Sequence, residues 1–246
     1  MAPRHVRLMD RQRTGGGRGT NQYRTRGVSQ ARQHDAAAIG GLVEVGVPGG
    51  WLASDEAHQR FGGTASVGLA GEIRTAQMLR RHFANDPTVT VCHDLSVPGL
   101  DRANVDHAVT RGNAVVLVDS KQWKPGTYWK VGRFVFRGLS HFSSAERTGA
   151  QIGVERWTRE LGSKAQVSGL IVVHSSSPQG QVKLRFRHLH GLRVVGGEQA
   201  CGIIDRRLRW ARKDKARIAE RLKAATPQPP PQGPVAPFGQ GGYRRG

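Results

Sequence analysis

Between Ser66 and Phe83 apolar residues return at helical spacing, at Leu69, Ile73, Ala76, Leu79 and Phe83. The line through positions 69, 72, 76, 79 and 83 is continuous except at Glu72, where a carboxylate stands in the apolar stripe. The run VTVCHD at 89–94 reads as a strand, and a loop around Pro98-Gly99 follows it. Two runs rich in Val and Ala, from Asn104 and to Trp123, flank Gly112-Asn113, a dipeptide that closes a two-residue hairpin loop. That loop pairs Arg111 with Ala114 and sets Asp106 opposite Asp119. Because strand side chains alternate, Lys121 shares the face of Asp119 and lies across from Asn104. Further on, Tyr128 to Arg137 alternates as one strand, and Ser143-x-x-Glu146 has the spacing of a capping box for a helix to about Leu161. Gly169 to Val173 reads as a buried strand. Leu184, Phe186 and His188 alternate with Arg185 and Arg187. A basic amphipathic helix over Ile203 to Ala225 carries Ile204, Leu208, Ala211, Ile218 and Leu222 on one side. Together these elements predict an α/β fold, a mixed central sheet flanked by helices.

The ends differ from this core. Residues 1–35 hold eight arginines and almost no large apolar side chains, which cannot repay the entropy of ordering. Residues 226–246 contain six of the twelve prolines and five glycines. The expected organisation is therefore a flexible basic arm and linker over 1–60, a core over 61–200, a basic helix over 201–225 and a disordered tail over 226–246. Lys and Arg outnumber Asp and Glu by 38 to 18, a formal charge of +20 that favours a polyanionic partner over a small neutral metabolite. Residues 201–246, with 11 basic and 3 acidic groups, are the most basic part for their length. Arg206, Arg207, Arg209, Arg212, Lys213, Arg217 and Arg221 on the last helix are the candidate phosphate contacts. Cys92 and Cys201 stand alone and far apart, supporting neither a disulfide framework nor a CxxC zinc site, so a reducing, cytoplasmic setting is expected. No signal peptide or membrane span is expected, because no uninterrupted apolar stretch is long enough.

Two carboxylates side by side on one hairpin repel each other unless a cation lies between them, and a divalent metal is the economical candidate. Helix with Glu72, strand, strand with Val105-Asp106-His107, then strand with Val118-Asp119-Ser120-Lys121-Gln122-Trp123 is an ordered set. It resembles the PD-(D/E)XK restriction-endonuclease-like superfamily, and within it the nuclease-related domain, NERD. Gly71 beside Glu72, and Gly126 and Tyr128 after the hairpin, also suit the pattern. The resemblance is good from Gly68 to Leu139 and reaches more loosely to Val195. It implies a three-layer nuclease core in which Glu72, Asp106, Asp119 and Lys121 are catalytic. Asp106, Asp119, Glu72 and the Ser120 main-chain carbonyl would hold Mg²⁺ or Mn²⁺. Asp119 stands where the family more often has Glu, one methylene shorter.

Phosphodiester hydrolysis needs charge neutralisation, an activated water and help for the leaving oxygen. Mg²⁺ takes carboxylate and carbonyl oxygens, and a lysine ammonium can stabilise the transition state. Plainer roles stand beside these. Asp119 and Lys121 could be a surface pair worth under about 1 kcal/mol, and Glu72 could pair with Arg74 or Arg80. His107 points to the face opposite Asp106, where packing or a supporting hydrogen bond is expected. His188-Leu189-His190 lacks a partner ligand. Trp123 and Trp129 could stack on a base or cover the sheet. The expected activity is metal-dependent hydrolysis of DNA, with RNA left open. The alternative is a non-catalytic nucleic-acid-binding protein that keeps the nuclease fold.

Overall fold

The computed structural model describes residues 41–54, 59, 63–101, 103–146, 148–213 and 217–227. The elements of its larger sheet are β1 (Val43–Val45), β2 (Val89–Ser96), β3 (Asn104–Arg111), β4 (Ala114–Trp123), β8 (Gln166–Ser175), β10 (His188–Leu189) and β11 (Leu192–Gly196). They lie in the order β1-β2-β3-β4-β8-β11-β10. The sheet is mixed: β2, β3 and β4 are antiparallel neighbours, whereas β4, β8 and β11 run parallel. A parallel return needs a crossover, and the helix α2 (Gly149–Leu161) supplies it between β4 and β8. Strands β2, β3, β4 and β8 are buried through most of their length, which accounts for their near-continuous Val, Ile and Leu content.

Helices cover both faces. α1 (Gly63–Phe83) and α3 (Gly197–Leu208) bury Leu79, Phe83, Ile204 and Leu208 against Val91, Val109, Val116 and Val118. On the other face α2 and α4 (Ile218–Ala224) bury Trp157, Leu161, Ile218 and Leu222 against Ala108, Val115 and Leu117. Full burial of a Leu or Ile contributes about 1.5–3 kcal/mol, so these two apolar layers hold the sheet between them. This is the three-layer α/β arrangement expected from the sequence. No helix among the described residues is long and apolar enough to cross a membrane.

The hairpin turns at Gly112-Asn113 with Arg111 opposite Ala114, as expected. Gly112 has φ 53° and lies so close to Arg212 that a Cβ there would sit 2.2 Å from the Arg212 carbonyl oxygen. Asn113 then holds that segment at both ends. Its side-chain oxygen accepts from Arg212 N–H at 2.7 Å, and its own N–H donates to Arg212 O at 3.0 Å.

That grip explains a correction. The single helix expected over Ile203 to Ala225 is two helices, α3 and α4, because residues 209–213 leave helical geometry to bind the hairpin tip. The chain then crosses to the opposite face of the sheet, so Ile204 and Ile218 belong to different cores. Three further expectations change. Tyr128 to Arg137 is not one strand but a tight hairpin, β5 (Gly126–Val131) and β6 (Phe134–Arg137), reversed at Gly132 with φ 56°. Ser143–Glu146 is a separate 3₁₀ turn, and α2 starts at Gly149 after Thr148, which makes no side-chain cap. Within the span read as arm and linker, Val43–Val45 is an edge strand parallel to β2. The basic arm over 1–35 and the tail beyond residue 227 lie outside the described residues.

β5 and β6 join β7 (Ser140–His141) and β9 (Val182–Leu184) in a second, four-stranded sheet of order β7-β6-β5-β9. It follows directly from the end of β4. Its inner face packs Tyr128 and Val135 against Trp123, Phe142 and Ile171.

Candidate metal centre

The ladder between β3 and β4 stops at His107 opposite Val118. The next facing residues in register are Asp106 and Asp119. There the strands part, and a side chain replaces the ladder: Asp106 Oδ2 accepts the Ser120 N–H at 2.6 Å. On the other side of β3 the ladder with β2 skips one position, from His93 opposite His107 to Leu95 opposite Val105. The skipped residue is Asp94, which takes a left-handed φ of 57°. Asp tolerates that conformation better than most L-residues. Three neighbouring strands thus present Asp94, Asp106 and Asp119 in one row.

Glu72 completes the group from α1. The helix lies against β4 at Gly71, where an added Cβ would be in ordinary contact with Gln122 at 3.4 Å. Glu72 is buried, and neither Arg74 nor Arg80 pairs with it. Arg74 donates to Ser175 O, and Arg80 makes a two-pronged pair with Glu44. Lys121 is the cation at the site, with Nζ 2.9 Å from Asp119 Oδ1 and 2.8 Å from Oδ2. The facing of Lys121 with Asn104 expected from the hairpin register does not occur. With the strands apart, Asn104 pairs with Ser96 and gives its amide to Asp94.

The electrostatics are those of a site short of positive charge. Burial, reinforced by Asp106, Asp94 and Asp119, raises the Glu72 carboxyl to about 10 against the opposing pull of Lys121. Burial and Asp119 raise Asp106 to about 7, although Lys121 and the Ser120 N–H favour its charged form. Burial lowers the Lys121 ammonium, but Asp119, Asp106 and Glu72 outweigh it and the net shift is upward, so it keeps its proton. Glu72 Oε2 is buried without a hydrogen-bond partner, whereas Asp119 Oδ2 already lies 2.8 Å from the Lys121 ammonium. An orphaned carboxylate oxygen such as Glu72 Oε2 is costly in a protein interior unless a cation uses it. Among the described residues no three His, Cys, Asp or Glu side chains are already gathered as a finished cage. The donor set nevertheless fits a hard divalent ion, being all oxygen and carrying more negative charge than Lys121 balances.

Behind the acids runs a buried chain of hydrogen bonds. His93 and His107 face each other with their Nδ1 atoms 2.7 Å apart, and His93 Nε2 meets Glu44 Oε1 at 2.7 Å. Of two facing Nδ1 atoms one donates and the other accepts, which locks the rings across β2 and β3 next to Asp94 and Asp106. Burial and His93 hold His107 well below the usual histidine range, and Glu44 is lowered to about 2 by His93 and Arg80 despite its burial. Of the two roles expected of His107, packing or a supporting hydrogen bond, the structure shows it buried and hydrogen-bonded to His93. On the open side the segment Val47 to Trp51 covers the acids. Trp51 N–H donates to Asp94 Oδ2 at 2.7 Å, and a Cβ on Gly49 would sit 3.6 Å from Glu72 Oε2.

Of the other candidates, Ser120 turns its hydroxyl to Thr75 Oγ1 at 2.8 Å, leaving its main chain toward the acids. Trp123 is buried beside Tyr128, whereas Trp129 is partly exposed. His190 bonds Ala145 O, and His188 is exposed. Among the basic positions, Arg206, Arg209, Arg212, Lys213 and Arg217 are exposed. Arg207 instead donates to Gly169 O at 2.8 Å, and Arg221 to Glu160 O and Oε1 at 2.7 Å, so both are engaged in the fold. Sequence reasoning missed Asp94, Glu44 and His93. The first was within reach, because extending the register of β2 against β3 sets residue 94 beside 106.

The family model of the nuclease-related domain, NERD, matches residues 67–174, the segment that holds all four acids, Lys121 and Trp129. Comparison with curated proteins and with solved structures gave no match.

Proposed function

We propose that the protein is a metal-dependent nuclease hydrolysing phosphodiester bonds in DNA, on the premise that residues 67–174 match the family model of the nuclease-related domain. One observation supports this above the rest. Glu72, Asp106 and Asp119, from a helix and two strands, lie close enough for their charges to act on one another, and burial with that repulsion raises the carboxyls of Glu72 and Asp106 to about 10 and about 7. Structure-building alone does not require such a set, since apolar residues of similar volume would be less costly there.

Asp106, Asp119 and Glu72, with the Ser120 carbonyl, would hold Mg²⁺ or Mn²⁺. Such an ion offsets charge on the phosphate and makes a water a better nucleophile at neutral pH. The chain's own groups do the remainder. Asp106 is oriented by the Ser120 N–H before any ligand arrives. Lys121 stays an ammonium beside Asp119, which suits it to stabilise charge on the phosphate oxygens rather than to take a proton. The Val47–Trp51 segment and α1 limit water around Glu72. Two free, buried cysteines on separate elements suit the reducing cytoplasm we assign to the protein.

The test is cleavage of plasmid and of labelled single strands with Mg²⁺, with Mn²⁺ and with EDTA, for the wild type and for Asp106→Asn and Asp119→Asn. Cutting should need the metal and fall by at least about 10³-fold in either variant, beyond the 10–100-fold loss typical of a supporting residue. Full activity in EDTA, or in either variant, overturns the reading. DNA binding with no cutting under any metal would leave the non-catalytic alternative, and preference for RNA would show in the same assay.

A further inference from the structure

The outer face of the small sheet carries aromatic rings and basic side chains but no acid. Register sets Trp129 opposite Phe136, and Phe136 opposite His141, across β5, β6 and β7. The Trp129 and Phe136 rings stack at 4.6 Å with planes 16° apart, and Trp129 Nε1 donates to Gly138 O at 2.6 Å, which fixes the indole in place. Phe134 is 41% exposed with the Arg133 guanidinium 5.0 Å above its ring, and Val131 beside it is 58% exposed. Lys183 pairs with Thr127 on the adjoining strand, and both Lys183 and Arg185 are exposed.

The two stretches that build this sheet and its flanks, 124–145 and 176–187, hold four and three lysines and arginines, seven in all, and not one Asp or Glu. A second copy of the chain laid on this face would bring like charges together. A polyanion is attracted. The exposed rings add a requirement that phosphates alone do not meet, a flat π-surface as partner. Unpaired nucleotides offer both, whereas duplex DNA hides the faces of its bases. Strand β4 carries Asp119 and Lys121 and ends at Trp123, three residues before β5 begins, so the chain passes from the acids to the small sheet within a few residues.

We propose that the outer face of the small sheet, centred on stacked Trp129 and Phe136 and edged by Lys183 and Arg185, binds unpaired nucleotides of single-stranded DNA. The proposal rests on the nuclease reading for its purpose but not for its test, because binding is measured without metal.

In EDTA the full chain is titrated with a fluorescent oligothymidylate and with a blunt duplex of equal length. Trp129→Leu and Phe136→Leu should each weaken binding of the single strand about tenfold, in the range of base–aromatic stacking, with less than twofold change on the duplex. Trp129→Phe, which keeps a ring, should restore most of the affinity that Leu loses. Changing Lys183 and Arg185 to Gln should weaken both ligands. Equal losses on duplex and single strand, or none on the single strand, overturn the proposal, as does sedimentation showing a wild-type dimer that Trp129→Leu dissociates. Photocrosslinking of bromodeoxyuridine oligomers to the wild type reads the same point without a variant. Adducts within 126–141 support it, and adducts confined elsewhere overturn it. If the wild type never cuts yet these selectivities hold, the nuclease reading fails and the platform stands; if it cuts while the selectivities are absent, the reverse follows.

Discussion

Strand β4 joins two regions of opposite chemistry. At its end in the large sheet, Asp106, Asp119 and Glu72 act on one lysine, with Asp94 adding its charge from the next strand. A few residues later the small sheet begins, with seven basic groups in its two stretches and no acid. The first region repels a polyanion unless a cation intervenes, and the second attracts it without help. On the proposed function, the difference teaches that holding and cutting would fall to separate surfaces. Binding should then survive metal removal, while chemistry should not.

The largest expected effect separates charge from ligation inside the acid region. Lys121→Ala should lower cleavage by about 10²–10³-fold, the scale of losing a preorganised charge-stabilising donor. Affinity for Mn²⁺, measured by calorimetry, should hold or rise, since an ammonium competes with a cation for Asp119. Collapse of metal binding together with activity would make Lys121 a structural group. Next in size is Asp94→Asn. Both Asp94 oxygens are already taken, by Asn104 and by Trp51 N–H, so it acts on Glu72 and Asp106 through its charge. Activity at limiting Mg²⁺ should fall about 10–100-fold and recover at saturating Mg²⁺. A loss that Mg²⁺ does not restore would show that Asp94 orders the strands instead.

The acid region also leaves a mark on stability. A carboxyl whose folded pKa exceeds its unfolded one contributes stability that is fully present below the unfolded value and is lost as pH rises through the folded value. Glu72, raised from 4.5 to about 10, and Asp106, raised from 3.8 to about 7, both follow this sign. Glu44, lowered to about 2, and His107, lowered below 6.5, have the opposite sign and finish titrating by mildly alkaline pH. Cys92 and Cys201, raised to about 11, have the same sign as Glu72 and begin to contribute as pH approaches their ordinary value of 9.0. Near pH 8 Glu72 therefore dominates, and metal-free protein should lose about 1.4 kcal/mol per pH unit there for its one proton. Chemical denaturation should show this slope flattened in Glu72→Gln. Mg²⁺ should raise the melting temperature more at the higher pH, because the metal and the proton compete for the same oxygens. A slope unchanged by the substitution would remove Glu72 from the cluster.

What could be read in advance followed local rules. Alternation and the Gly112-Asn113 turn set the hairpin register, and helical periodicity exposed Glu72 as the misfit on α1. The hairpin at Gly132 was hidden because the alternation from Tyr128 to Arg137 carries through the turn without a break. The split of the last helix depends on Asn113, about a hundred residues away in the chain, capturing the main chain of Arg212. No local pattern reports such a contact. Asp94 lies between these cases, since its place next to Asp106 follows from register but its φ of 57° does not.

The smallest effect concerns a third surface, the basic C-terminal segment, and it sharpens the contrast between general and selective holding. Arg209, Arg212, Lys213 and Arg217 are exposed around the hairpin tip, whereas Arg207 and Arg221 spend their guanidinium groups on main-chain carbonyls. Each phosphate contact releases counterions and steepens log K against log salt by about 0.9 on duplex and about 0.7 on single strands. Changing Arg209, Arg212, Lys213 and Arg217 to Gln should therefore make the slope shallower by up to about 3.6 on duplex and about 2.8 on single strands, with equal loss for unrelated sequences. Arg207→Gln should instead lower the melting temperature and leave the slope alone, because its partners are Gly169 O and Ser168 Oγ on β8. If the four-fold variant keeps the wild-type slope, the C-terminal charge serves no backbone contact and the small sheet carries the binding alone.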